Sequence, residues 1–297
     1  MQWRGKVALI TGAGSGFGLE LARIAAGEGL RLVLIDVQSD ALESAVAEQR
    51  AAGAEVLPFC LSVADAAAMQ AMAQTVERQW GAPHLLFNNA GVGAGGLIWE
   101  TSLEDWQWVL GVNLMGVVHG VRLFTPMMLA AARQDPAWRG HIVNTASMAG
   151  LVNPPNMGVY NASKHAVVSL TETLHHDLQL VTTQIGVSVL CPFFVATGIS
   201  QSQRNRPGLS GKPTLSQKIG ADMMHKAVQA GKVSAAEVAH KTFAAVASNE
   251  FYIYSHPKAL GSVHERMRDV LESRQPADPF AGRGDVREQL KAALRGE

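Results

Sequence analysis

Seven short apolar runs rich in β-branched residues recur along the chain: Lys6 to Thr11, Arg31 to Asp36, Val56 to Leu61, Leu85 to Asn88, His141 to Thr145, Gly186 to Leu190 and Phe251 to Tyr254. Each has the length of a strand, and the runs carry apolar residues at consecutive positions, as strands covered on both faces do. Between them lie segments of helical length rich in Ala, Leu, Glu and Gln: 17 to 28, 39 to 51, 65 to 80, 102 to 132 (long enough for two helices), 160 to 182 and 234 to 248. The alternation predicts an α/β fold of the doubly wound kind, a seven-stranded parallel sheet with helices on both faces and right-handed crossovers. It forms a single domain over residues 1–275. Two stretches break the rhythm. Residues 198–232, with Arg204-Asn205-Arg206-Pro207-Gly208 and Gly211-Lys212-Pro213, read as a substrate lid or as a solvated excursion. The tail 276–297, where Pro276, Pro279, Gly282 and Gly284 precede a short amphipathic segment, reads as an oligomer arm or a frayed end.

Charge changes the picture by its scarcity. The 297 residues hold 25 Lys and Arg against 25 Asp and Glu, and this balance gives no bulk field for nucleic acid or acidic lipid. Charged residues make up 17%, and none falls in 79–99, 140–163 or 178–203. Each stretch is long enough to raise the question of a membrane span. Each is also broken by polar or helix-breaking residues, as in Phe87-Asn88-Asn89-Ala90-Gly91, and so predicts a buried strand running into a glycine-rich loop at the mouth of a crevice, with no membrane partner. At Met1 to Gly12 the apolar run Val7–Ile10 ends at once in glycines, which fits no signal peptide. Cys60 and Cys191 lie far apart in apolar stretches, and read as reduced core residues of a cytoplasmic protein, with a reactive thiol as the alternative.

The first strand runs into Thr11-Gly12-Ala13-Gly14-Ser15-Gly16-Phe17-Gly18 and then directly into a helix. Strand, glycine turn and helix present backbone N–H groups and a helix N-terminus to a pyrophosphate. Phe17 stands where the G-x-G-x-x-G pattern needs glycine; T-G-x-x-x-G-x-G fits, through Gly12, Gly16 and Gly18. Eighteen residues on, the second strand ends in Asp36, where a carboxylate takes ribose hydroxyls and repels a 2′-phosphate. Neither Ser15 nor Val37 supplies the cation that NADP needs, so NAD is favoured over NADP; capping of the next helix is the other reading of Asp36.

Tyr160-Asn161-Ala162-Ser163-Lys164 places a phenol and an ammonium one helical turn apart. A phenol titrates near 10 and needs a shift of about 2 to 3 units to act as a base near neutrality; a neighbouring cation has the right sign. Taken alone, the pair also fits a helix surface. Thirteen residues upstream, Asn144-Thr145-Ala146-Ser147 ends the fifth strand and puts the Ser147 hydroxyl at the carboxyl edge of the sheet, where ligands bind in such folds.

Taken in order, the glycine loop, Asn88-Asn89-Ala90-Gly91, Ser147 and Tyr160/Lys164 resemble the compact single-domain branch of the short-chain dehydrogenase/reductase family, from about residue 5 to 256. The resemblance implies a Rossmann-type fold and hydride transfer between an alcohol carbon and a nicotinamide. It makes Tyr160 the general acid/base, Ser147 the holder of the substrate oxygen, and Lys164 the ribose ligand that depresses the Tyr160 pKa, with Asn113 organising a water relay. Asn89, Ala90 and Gly91 would line the adenosine side, Val63 would pack on the adenine, and Pro192, Phe193, Val195 and Thr197 would meet the nicotinamide side. The chain departs from the family at Pro192-Phe193, where Pro-Gly is common, and at Ser62, where an acid is common. Ser62 leaves Val63 to contact the adenine by packing alone. The expected substrate pocket, Gly95 to Trp99 with Met148, Leu151, Met157, Phe193, Phe194 and parts of 199 to 232, is mostly apolar. A hydrophobic, aryl-bearing secondary alcohol or ketone follows as the small-molecule substrate, although Arg204 and Arg206 could favour an acidic one. No H-E-x-x-H or comparable cluster points to a metal. The resemblance also implies a homodimer or homotetramer through 114–132 and 160–182. The rival readings are an NADP-dependent carbonyl reductase and a non-catalytic dinucleotide sensor.

Overall fold

A computed structural model describes residues 3–208 and 212–296. All seven expected strands form, as Val7–Thr11 (β1), Arg31–Asp36 (β2), Val56–Cys60 (β3), Leu85–Asn88 (β4), Gly140–Thr145 (β5), Ile185–Cys191 (β6) and Tyr252–Tyr254 (β7). They pair in parallel in the order β3-β2-β1-β4-β5-β6-β7. The helices are α1 (Gly16–Gly27), α2 (Ser39–Ala51), α3 (Ala66–Trp80), α4 (Leu103–Leu110), α5 (Gly116–Gln134), α6 (Gly158–Val181), α7 (Leu215–Gln229), α8 (Ala235–Ser248), α9 (Leu260–Leu271) and α10 (Gly284–Arg295). The α/β expectation therefore stands, with strand ends shifted by about a residue.

The period of two along a strand sorts the core into two layers. Ala8 and Ile10 of β1 face the layer closed by Leu21 of α1 and Val238 and Phe243 of α8. Val7 and Leu9 face the layer closed by Met69 of α3, Phe124 of α5 and Leu174 of α6. Both faces of a central strand are thus covered, which is why the strand runs lack alternation. At the edge the rule relaxes: β3 pairs only with β2, tolerates Pro58, and leaves Cys60 exposed. Cys60 is therefore not the core residue expected. Cys191 is buried, and burial pushes its thiol up to about 12, which makes it inert rather than reactive.

The stretch expected as two helices is one continuous path, in which α4 passes through a π-helical turn, Gly111–Met115, straight into α5. Leu103–Gln134 is long enough for a membrane span and contains a window of mean hydropathy 1.4, yet Val109, Val117, Phe124 and Met128 are buried in the core. Beyond β6 the chain forms a 3₁₀ helix, Gly198–Asn205, and then α7. Residues 209–211 of the expected lid lie outside the described residues, as does position 297 of the tail. The rest of the tail carries α10, which packs against α7 with Leu290 buried.

One buried polar pair gives the fold a pH dependence. His141 on β5 sits with Nε2 2.7 Å from Ser188 Oγ on β6, and burial pushes its imidazole down to about 4. His84, half-buried and near Lys6 and Arg31, is likewise pushed down to about 4. The unfolded chain takes up these protons near pH 6.5, so this stability is complete above that pH and is lost as the pH falls toward 4. Calorimetry should show Tm falling by several degrees between about pH 7 and pH 5. His141→Gln should flatten that dependence while lowering Tm at neutral pH; an unchanged slope in the variant would contradict this.

Candidate active site

The carboxyl ends of β1, β4, β5 and β6 open onto a cleft of about 1040 Å³. On one side lies the turn between β1 and α1. Gly16 takes φ +54°, a conformation suited to glycine, and Thr197 stands 3.4 Å from where its Cβ would lie. Gly12, Ser15, Gly16 and Phe17 line the cleft, whereas Gly18 does not. A Cβ on Gly18 would strike the Gly12 carbonyl, so this glycine acts through packing, by letting α1 lie against the turn. Ser15 is the N-cap of α1 but makes no side-chain capping bond. The helix start therefore faces the cleft without a side-chain anion of its own, as a pyrophosphate site requires.

Asp36 accepts hydrogen bonds from Gly14 N at 2.8 Å and Gln38 N at 3.0 Å, tying the glycine turn to the end of β2. The N-cap of α2 is Gln38, so Asp36 is not its capping residue. Farther along, Thr11 Oγ1 accepts from Asn89 N and Ala90 N, each at 2.9 Å, and so fixes the loop after β4. Asn89, Ala90, Gly91 and the buried Val63 all line the cleft.

Ser147 follows β5 in extended backbone, with Oγ accepting from Ala149 N at 3.1 Å and donating to Pro192 O at 3.4 Å. Tyr160 and Lys164 lie on α6, one turn apart and both buried. Lys164 Nζ donates to Thr145 O at 2.9 Å and stands 5.8 Å from the centre of the Tyr160 ring. Burial pushes the lysine down to about 8. It pushes the phenol above its ordinary value, with the Ser147 hydroxyl pulling the other way. Loss of water is thus the larger influence on the phenol, while the cation expected to depress it is held by the Thr145 carbonyl.

Asn113 lies behind this group rather than in the cleft wall. It sits in the π-helical turn, accepts from Val92 N at 2.8 Å, and donates to Val92 O at 3.0 Å and Ser163 Oγ at 3.1 Å. Its amide joins the loop after β4 to α6. Pro192, Phe193, Val195 and Thr197 all line the cleft, with the Phe193 and Phe194 rings 4.6 Å apart.

Met148, Met157, Phe193 and Phe194 line the cleft together with Met224 and Val228 from the expected 199–232 stretch and with Val152, which sequence reasoning missed. Six expected pocket residues stand elsewhere: neither Gly95 to Trp99 nor Leu151 lines the cleft. Trp99 is 76% exposed, because Leu97 N is held by Ser216 Oγ on α7 and the turn that follows swings the indole outward. Leu151 follows the 3₁₀ turn Met148–Gly150 inward and packs with Val167 and Val168. Arg206 is paired with Asp105 at 2.6 Å, with little of either side chain exposed, so its charge is neutralised. Gln38 and Arg204 also line the cleft. Gln38 could have been found from its place two residues after Asp36, while Arg204 was expected in the lid only as a group favouring an acidic substrate. No group of His, Cys, Asp and Glu suited to a metal occurs among the described residues.

The short chain dehydrogenase family model matches residues 6–208. The chain is 32% identical over 279 residues to a "CLA biosynthesis dehydrogenase/reductase" of Lactiplantibacillus plantarum, covering 92% of this chain and 96% of that protein. It is 33% identical over 287 residues to a "C alpha-dehydrogenase" of Sphingobium sp., covering 95% and 91%. A crystal structure of a short chain dehydrogenase/reductase from Burkholderia phymatum in complex with NAD superposes with a TM-score of 0.90 at 51% identity, over 94% of this chain and 99% of that one. With strand order, glycine turn and tyrosine-lysine helix all in place, the chain belongs to the short-chain dehydrogenase/reductase family and is an NAD(P)-dependent oxidoreductase acting on CH–OH groups.

Proposed function

We propose that the protein transfers a hydride between NAD(H) and an apolar, aryl-bearing secondary alcohol or its ketone, with Tyr160 as general acid/base. The observation that carries this reading is that Ser147 and Tyr160, in contact with each other, share one cleft with the glycine turn, Asp36 and the apolar side chains Met148, Met157, Phe193 and Phe194. The cofactor fits the glycine turn and Asp36: an uncapped helix start suits a diphosphate, and a carboxylate at the end of β2 suits ribose hydroxyls. When bound, the nicotinamide supplies the hydride donor or acceptor. Ser147 holds the substrate oxygen. Tyr160 takes the hydroxyl proton in oxidation and returns it to the carbonyl in reduction. Because burial raises the phenol, its protonated form, the one that serves reduction, prevails at neutral pH. Lys164, at about 8, is mostly charged at pH 7 and has the sign that favours a phenolate. Asn113 is a positioning residue acting through Ser163 and Val92.

NAD is preferred because the Asp36 carboxylate opposes a 2′-phosphate, and the Burkholderia relative is bound to NAD. An aryl-bearing substrate is supported by the Phe193 and Phe194 rings and by the Sphingobium relative's name. We read the segment after β6 as the lid. A homodimer or homotetramer through α5 and α6 belongs to the same reading, supported by Leu180 and Val181 standing exposed at the end of α6; two unpaired cysteines agree with the cytoplasm. A second reading, an NADP-linked carbonyl reductase, is favoured by one observation, the bond between Arg204 and Gln38 near the ribose end.

An absorbance panel of secondary alcohols and ketones should show turnover of apolar aryl compounds with NAD(H), and fluorescence titration should give a lower Kd for NADH than for NADPH. Activity confined to acidic sugars, or tighter NADPH binding, would reject the assignment. Tyr160→Phe should cut kcat by at least about a hundredfold, the usual scale of general acid/base help, while NADH affinity stays within about twofold. A sensor would keep its ligand response and have no turnover to lose. Without cofactor, alkaline titration of phenolate absorbance should place Tyr160, Tyr252 and Tyr254 all above their ordinary value near 10, since burial raises each.

A further inference from the structure

The segment after β6 carries two arginines into the cleft, and the fold treats them differently. Arg206 is neutralised by Asp105. Arg204 has only neutral acceptors: Nε donates to Gln38 Oε1 at 3.0 Å, and Nη1 donates to Gly198 O at 3.1 Å and, at 3.4 Å, to Gln201 O and Oε1. Among the described residues no ion pair involves Arg204, and Nη2 makes none of these bonds. The guanidinium lies flat against Gly198, where a Cβ would stand 2.9 Å from Nη2. It spans the cleft from Gly198, next to the Thr197 that faces Gly16, to Gln38, two residues past Asp36. Its 3₁₀ helix is pinned on either side of it: Ser202 Oγ accepts from Gly93 N at 2.8 Å, and Arg206 holds α4 through Asp105.

A planar cation with no carboxylate partner, set across a groove from an uncapped helix start, matches what a diphosphate needs from its second wall. We propose that Arg204 is a phosphate-binding residue for the dinucleotide, and that it couples closure of the segment after β6 to cofactor binding. The proposal rests on the dinucleotide reading of the cleft and extends it to a residue outside the glycine turn. Coupling follows from reciprocity: if the closed segment strengthens dinucleotide binding through Arg204, the bound dinucleotide holds that segment closed by the same factor. Release of the spent cofactor then requires the segment to open.

The test uses the full-length protein with Arg204→Gln and Arg204→Lys. Calorimetric titration with NADH, NADPH, ADP and adenosine, and hydrogen exchange over residues 198–208, are the readouts. Arg204→Gln should raise Kd for NADH and ADP about tenfold or more, leave adenosine within twofold, and abolish the NADH-induced protection of 198–208. Arg204→Lys should recover part of the affinity. Tm without ligand should not change, since the bonds lost are exposed and neutral. Kd values for NADH and ADP within twofold of the original protein would overturn the proposal and leave the dinucleotide reading standing. A loss confined to NADPH would also overturn it, placing the guanidinium at a 2′-phosphate instead. An original protein that binds neither NADH nor ADP would defeat both.

Discussion

Parallel pairing at the centre of the sheet is the constraint from which the site follows. Ile10 pairs with Phe87, Asn88 with Asn144, and Thr145 with Leu190, so four strands end along one edge and their loops must converge. Buried polar contacts lock that register. Asn88 Nδ2 donates to Asn144 Oδ1 at 2.8 Å, Asn144 Nδ2 donates to Thr171 Oγ1 on α6 at 3.1 Å, and Thr11 Oγ1 receives the two amides after β4. A slip of one residue would turn each side chain to the wrong layer and strand these amides without partners, at a cost of about 1 to 3 kcal/mol each. Ser147 and Lys164 inherit their positions from that register, since Ser147 follows β5 and Lys164 reaches back to the carbonyl of Thr145.

Convergence at a dry edge has an electrostatic consequence. Water is excluded from Tyr160 and Lys164, and burial shifts both toward their uncharged forms. The cleft also keeps charges nearer solvent, among them Asp36 at the end of β2, Glu104 on α4, the start of α1, and Arg204. Arg206 and Asp105 are a different case. Little of either is exposed, so removing one would leave the other as an uncompensated buried charge, a far larger penalty than an exposed pair carries. That pair holds the segment after β6 onto α4, while the neutral contacts of Arg204 are weak enough to be exchanged for an anion.

The strands were legible in the sequence because a parallel strand is buried on both faces and shows it as a continuous apolar run. The placement of the glycine turn, Asp36, Ser147 and the Tyr160/Lys164 pair along one cleft was legible because each position is set by spacing within one turn or one strand end. What stayed hidden depends on contacts between distant segments. Trp99 points outward because of Ser216 on α7, and Leu151 points inward because of Val167 and Val168 on α6. Asn113 holds Val92 and Ser163. Gly18 looked like a cofactor contact, yet what it meets is the Gly12 carbonyl. The absence of a cation next to Asp36 in sequence was a true local statement that missed Arg204, 166 residues from the Gln38 it bonds.

The departure from Pro-Gly at Pro192-Phe193 joins these points. Phe193 N donates to Ser255 Oγ at 2.9 Å, and the Phe193 ring meets His256 edge-on at 5.8 Å, so the aromatic wall of the cleft is braced from the loop after β7. Phe194 leans on Phe193, and the chain then runs through Thr197 past Gly16 to Arg204 and Gln38. One short path after β6 therefore joins the aromatic wall of the cleft to the glycine turn and the end of β2. A side chain that alters the aromatic wall acts on the same backbone that carries Thr197 and Arg204, so the two parts of the cleft are mechanically linked.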